Sequence, residues 1–219
     1  MRIPVGVNWV IRAGEKRRSR LHDYDNRLLP PNAVVDVPRV LRQAIRRRRY
    51  GWRPILPWVP YPAIRRIQEL IQPDWDVLEM GSGNSTLWFA TRVKHIRSME
   101  SDPYWYSRVK AGLAGASAAI DYEFINVDQR PGSYWELKED QVESYDFVMV
   151  DGLFREECIK SALRAARPGG YIYLDNIDSE RAAFAVLKEA VMKRGGSIEL
   201  LTGLPPAQPT VTTGALAHT

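Results

Sequence analysis

A chain of 219 residues, 45% of them hydrophobic, can bury the core of one ordinary domain, and it has no run near the roughly 18 apolar residues of a membrane span. Its one cysteine, Cys158, excludes an internal disulfide; with no signal-like apolar segment at the start, a reducing, cytoplasmic setting is expected. The net charge of +5 is uneven: residues 1–50 hold 13 Lys and Arg against 4 Asp and Glu (+9), while residues 51–219 carry −4.

Residues 1–50 therefore read as a basic N-terminal extension and 51–219 as the main domain. The extension could serve as a lid, a dimer contact or a dock for an anionic partner. Its first 36 residues are irregular, with Pro30 and Pro31 and a polar cluster at 23–26. A helix is predicted over 38–48. The four arginines at 46–49 suit its C-terminal dipole. The other reading is an anionic partner: nucleic acid, lipid headgroup or phosphorylated substrate. Nucleic acid is the less expected, since the run lacks interleaved aromatics. Pro54, Pro57 and Pro60 forbid a helix until Tyr61, and Pro62 fits the first turn of an amphipathic helix over 62–72, with Ile64, Ile67, Leu70 and Ile71 on one face.

After Pro73, strands alternate with helices. Strands are predicted at 76–79, 95–100, 122–127, 145–150 and 171–174, and later at 198–202 and 211–217. Helical patterns fill 85–93, 103–115, 155–166 and 179–194. This alternation implies an α/β fold: a mostly parallel, doubly wound sheet covered on both faces. In such sheets ligands bind beyond the carboxyl ends of the strands.

The stretch EMGSGNST, residues 79–86, closes the first strand. It lacks the third glycine of a dinucleotide fingerprint and the lysine of a Walker loop. Gly81 and Gly83 allow a tight turn and close backbone approach to a ligand. Ser85 and Thr86 open the next helix, whose free N–H groups favour a carboxylate. Glu79 would repel a pyrophosphate and suits a cation. The loop thus fits a zwitterion. Glu100 closes the second strand 19 residues after Gly81, placed for two ribose hydroxyls. Asp128, read as the end of the third strand, is a candidate for an adenine amino group.

DVLEMGSGNST, SMESD, YDFVMVDG and ARPGGYIYLDN, in this order, resemble successive motifs of the class I S-adenosylmethionine-dependent methyltransferases, in their small-molecule, catechol-type O-methyltransferase branch. The likeness covers about residues 60–219. It implies the Rossmann-like, seven-stranded sheet with an antiparallel last strand. By position it implies that Glu79, Gly81, Ser82, Gly83, Asn84, Ser85 and Thr86 hold the methionine moiety. Glu100 would take the ribose, Ser101 and Asp128 the adenine, and Asp151 would also touch the cofactor.

Asp151, Asp175 and Asn176 are the catalytic candidates. Their pattern resembles a Mg²⁺ set, and two carboxylates with an amide are suitable hard ligands. Against a metal, those enzymes carry a lysine where this chain has Phe154, and the adjacent Arg155 cannot act as a base. Trp58, Tyr61 and Arg155 are candidate substrate contacts. His22, His95, His218 and Cys158 are expected away from the chemistry, although His22 could reach the site. The expected activity is methyl transfer to a small-molecule acceptor, oxygen before nitrogen, with a homodimer possible in principle. The alternatives are a non-catalytic binding or regulatory protein on the same fold, an RNA methyltransferase using the basic extension, and aminopropyl transfer.

Overall fold

The structure, a computed structural model, describes residues 17–219; the first sixteen residues of the expected extension lie outside the described residues. A short 3₁₀ helix, Pro31–Asp36, leads into α1, Val37–Tyr50. Pro38 sits in the first turn of α1, where its missing N–H costs nothing, and Gly51 ends the helix at φ +65° with its N–H on the Arg47 carbonyl. Helix α2, Tyr61–Leu70, starts on Pro62 as its sequence predicts and buries Ala63, Ile64 and Ile67.

The sheet follows: β1 Asp76–Met80, β2 His95–Glu100, β3 Ala119–Phe124, β4 Tyr145–Val150, β5 Ala166–Leu174, β6 Ser197–Gly203 and β7 Thr212–His218. Helices α3 Asn84–Phe89, α4 Pro103–Gly112, α5 Arg155–Ala165 and α6 Arg181–Lys193 fill four of the five gaps between the first six, and two short 3₁₀ turns fill the gap from β3 to β4. The strand order is 3-2-1-4-5-7-6, and β7 runs antiparallel to both neighbours. This is the expected seven-stranded architecture. The order reverses between β1 and β4, so the carboxyl ends of these two strands flank the switch point where such sheets bind ligands.

Two elements depart from expectation. Strand β3 pairs residue for residue with β2, from His95 with Ala119 to Glu100 with Phe124, so it ends three residues before the apolar run does. Ile125 still donates to the Glu100 carbonyl, and the chain then turns away. Asp128 is therefore four residues beyond the strand, and exposed. Strand β5 begins five residues earlier than expected because Ala166 pairs with Tyr145; the register then shifts, so that Tyr171 faces Phe147.

Alternation along the central strands makes two cores. Leu78, Met80, Val148, Val150, Ile172 and Leu174 face α5 and α6. Val77, Phe147, Met149 and Tyr173 face α2 and α3, and this second core also takes Leu29, Ala33 and Val40. Residues 29–40 thus share the core of the main domain rather than standing apart from it. Among the described residues no helix is long and apolar enough to cross a membrane.

Candidate functional site at the carboxyl ends of the strands

Strand β1 ends in a turn at Gly81, φ +104°. A Cβ there would lie 2.4 Å from the Cα of Gly152, the second residue after β4. The close approach of two glycines sets the β1 turn directly against the β4 turn. It brings Glu79, Asp151 and the loop 81–85 to one place.

Glu79 is fully buried. Its Oε2 accepts from Thr86 Oγ1 at 2.5 Å and from Ser98 Oγ at 2.6 Å, while Oε1 has no partner. Burial pushes its carboxyl up to about 7, with the hydroxyls opposing. Thr86 Oγ1 also accepts the Gly83 N–H at 3.0 Å, which ties the glycine loop to the acid. Glu100 closes β2. Its Oε2 accepts from Ser82 Oγ at 2.7 Å, and its Oε1 takes the N–H groups of Ser101 and Asp102 at 2.8 Å each. Asp102 then caps α4 by accepting from the Trp105 N–H.

At the ends of β4 and β5, Arg155 makes five hydrogen bonds. Nε donates to the Gly152 carbonyl, Nη1 to the Asp175 carbonyl and Asn176 Oδ1, and Nη2 to the Asp151 carbonyl and Asp151 Oδ1. A guanidinium has five N–H groups, so Arg155 has none left over for a substrate. It is a clamp between two strand ends. Burial pushes Asp151 up to about 6, against the pull of Arg155, and Glu100 adds to the rise. Burial, with Asp151 next, holds Asp175 well above the carboxylate range; Tyr173 donates to its Oδ1 at 2.9 Å. The expected Mg²⁺ set does not fit this arrangement. Two of its three members, Asp151 and Asn176, already hold the Arg155 cation. Among the described residues no group of three or more His, Cys, Asp and Glu is disposed to hold a metal ion.

These strand ends enclose a cavity of about 740 Å³. Gly81, Ser82, Gly83, Asn84, Ser85, Glu100, Ser101, Asp151, Asp175, Asn176, Arg155 and Trp58, all candidate site residues from the sequence, line it. Glu79 and Thr86 stand behind the wall. Asp128 is a correction: it does not line the cavity, and Val127 does. Tyr61 is another. It is buried against Gln43, with the hydroxyl 3.0 Å from Oε1, and it lines a separate cleft beside Trp52. His95 and His218 lie at the far end of the sheet, where His95 faces Asp76 at 3.6 Å and His218 stacks on Tyr171. His22 bonds Ser19, and Cys158 is buried with its thiol pushed up to about 12 by burial.

The sequence reading missed other wall residues. Tyr134 comes from a short 3₁₀ turn, Pro205 and Gln208 from the connection into β7, and Thr212 is the first residue of β7. None carries a local signal. Arg47, also on the wall, was visible only as one of four arginines.

No protein-family model matches the chain, and no curated protein matches it. Solved structures do. The O-methyltransferase TomG from Streptomyces achromogenes, involved in tomaymycin synthesis and solved with SAM, gives a TM-score of 0.57 at 18% identity, over 82% of this chain and 88% of that one. The O-methyltransferase from Bacillus cereus, solved with SAH, gives 0.56 at 17% identity, over 84% and 90%. TYW2 from P. horikoshii, in complex with MeSAdo, is longer: this chain spans 59% of it, at a TM-score of 0.47 and 19% identity, over 70% of this chain. At such identities the likeness establishes the fold, that of the Rossmann-like methyltransferases.

Proposed function

We propose that this chain is an S-adenosylmethionine-dependent methyltransferase acting on a small-molecule acceptor, with oxygen as the expected nucleophile. One observation carries the reading: Glu100, at the end of β2, lines one large cavity beside a glycine turn, and Glu79, on the neighbouring strand β1, is buried directly behind that turn.

The residues present fit this cofactor. A buried carboxylate oxygen without a partner is costly, and Glu79 Oε1 is an acceptor suited to an ammonium group, directly or through a water. Ser82 and two backbone N–H groups fix the orientation of Glu100, and the remaining lone pairs suit two vicinal hydroxyls. A Cβ on Gly83 would meet only Ser85 Oγ, at 3.7 Å, so the protein's own packing does not require a glycine there. The bare backbone leaves that space to a bound molecule.

The chemistry supplied by the cofactor is an electrophilic methyl group on a sulfonium. The protein's part is alignment and proton management. Holding the acceptor oxygen in line with the methyl converts a bimolecular step into a unimolecular one. Asp151, 21% exposed and raised to about 6, is the group suited to hold a proton from an acceptor hydroxyl. Asp175, more deeply buried and held well above the carboxylate range by that burial, supports the site through Tyr173 and Arg155. A volume of about 740 Å³ accommodates the cofactor and a small acceptor together.

Calorimetry with S-adenosylhomocysteine tests the reading. Wild type should bind it and Glu100→Ala should not. No heat with folded wild type ends the cofactor assignment. Methyl transfer to a panel of phenols and diols then identifies the acceptor.

A further inference from the structure

We propose that Arg47, at the cavity wall, and Arg53, stacked on the wall residues Trp58 and Trp105, form a subsite for an anionic group, a carboxylate or a phosphate, on a bound molecule. On the methyltransferase reading that molecule is the acceptor, or the cofactor through its own carboxylate.

Of the four arginines at 46–49, Arg47 alone lines the cavity, and it alone is half-buried; the other three are exposed. Its guanidinium lies 4.7 Å from the Trp58 ring. Arg53 lies 5.0 Å from Trp58 and 5.0 Å from Trp105, and the two indoles meet edge-to-face at 5.6 Å. Trp58 and Trp105 line the cavity with Arg47. Two cations therefore share the Trp58 ring.

Stacking satisfies the face of a guanidinium and leaves its in-plane N–H groups unused. Here they stay unused. Among the described residues, no carboxylate forms an ion pair with Arg47 or Arg53, and Arg53 Nη1 is buried with no hydrogen-bond partner. Trp58 Nε1 is a second buried donor without an acceptor. The acids on the same wall are committed elsewhere: Asp102 to the Trp105 N–H, Glu100 to Ser82 and two amides, Asp151 to Arg155. Burial, then the charge of Arg53, lowers the Arg47 pKa, as expected of like charges brought together without an anion. Unsatisfied buried donors and neighbouring like charges are each destabilising, and an anion in the cavity relieves both. The position fits a ligand of the main site, because Asn84 on the glycine loop donates to the Pro54 carbonyl at 2.7 Å and so holds residue 53 near the loop.

The test titrates inorganic phosphate, at constant ionic strength, into the full chain with and without saturating S-adenosylhomocysteine. Wild type is compared with Arg47→Gln, Arg53→Gln and the charge-keeping Arg53→Lys, each checked for folding by thermal melt. Loss of phosphate affinity by at least tenfold in both Gln variants, with partial recovery in Arg53→Lys, supports the subsite. If phosphate binds the loaded protein and the Gln variants keep their affinity for S-adenosylhomocysteine, the anion belongs to the acceptor. If phosphate and S-adenosylhomocysteine compete, and the Gln variants lose both, it is the cofactor's carboxylate. Unchanged affinity for both ligands in folded Gln variants overturns the proposal. Phosphate binding by a wild type that ignores S-adenosylhomocysteine would remove the methyltransferase reading and leave the subsite standing.

Discussion

Gly81 and Gly152 pass with their backbones in contact, so that neither position admits a Cβ. On Gly152 that carbon would stand 2.0 Å from the Tyr134 hydroxyl and 2.9 Å from the Gly81 Cα. Gly152→Ala must push apart the β1 and β4 turns. Overpacking of this kind costs about 1–3 kcal/mol, or roughly 2–10 °C in Tm for a chain of this size. The same variant should lose S-adenosylhomocysteine binding, measured by calorimetry on protein that still melts cooperatively. Unchanged binding would mean that the close approach does not shape the site.

Glu79 gives the site a pH signature. Its folded pKa, about 7, is above the unfolded value, so between about 4.5 and 7 the folded chain holds a proton that the unfolded chain has lost. Stability from this group therefore falls as pH rises through that window and is level above it. Glu79→Gln should flatten the decline, seen as a smaller difference between urea unfolding at pH 5 and pH 8. Affinity for an ammonium-bearing ligand should run the other way, rising with pH as Glu79 ionises. Parallel pH profiles for the two proteins would remove Glu79 from both roles.

Removing the clamp leaves buried Asp151 without its cation. Arg155→Met should cost about 3 kcal/mol at pH 8 by analogy with broken buried pairs. The loss should shrink at pH 5, where Asp151 is protonated in either protein. Denaturant unfolding at the two pH values measures this directly, and an equal loss at both would show that Arg155 acts by packing alone.

Because Arg155 already donates to Asp151 and Asn176, methyl transfer is expected to continue unchanged in EDTA. Activity abolished by chelation and restored by Mg²⁺ would refute this.

Glu100→Gln keeps the shape of the side chain and loses its charge. Hydrogen bonds to a charged group contribute about 1.5–3 kcal/mol, so S-adenosylhomocysteine affinity should fall by roughly tenfold to a hundredfold. A change below threefold would place the ribose elsewhere.

The sequence made the sheet legible because each central strand is a short apolar run closed by a polar residue, and because Pro and Gly mark the ends of α1 and α2. The edge strand β3 was misplaced by three residues. Its apolar run continues into Ile125 and Val127, which serve the interior and the cavity wall rather than the ladder, and periodicity cannot separate those duties. The gathering of acids at the strand ends was readable from Glu79, Glu100, Asp151 and Asp175, since acids closing apolar strands stand out. Arg155 was not readable as a clamp. Its five acceptors include three backbone carbonyls, which no side-chain pattern reports. Tyr134, Pro205 and Gln208 reach the site only through the path of the loops.

The docking of the early chain onto the late chain sets an order of events during synthesis. Asp23 first closes a local turn, accepting the N–H groups of Asp25 and Arg27. Its other oxygen takes the Thr213 hydroxyl, 190 residues later, and the Arg20 carbonyl takes the Val211 N–H beside it. At roughly 5–20 residues per second the ribosome separates these partners by about 10–40 s. Until then β7 is missing from between β5 and β6, the connection carrying Pro205 and Gln208 has not emerged, and the cavity lacks a side. A nascent chain holds the glycine loop and both of its acids long before the cavity has its last wall, which arrives with the strand that docks residues 20–23.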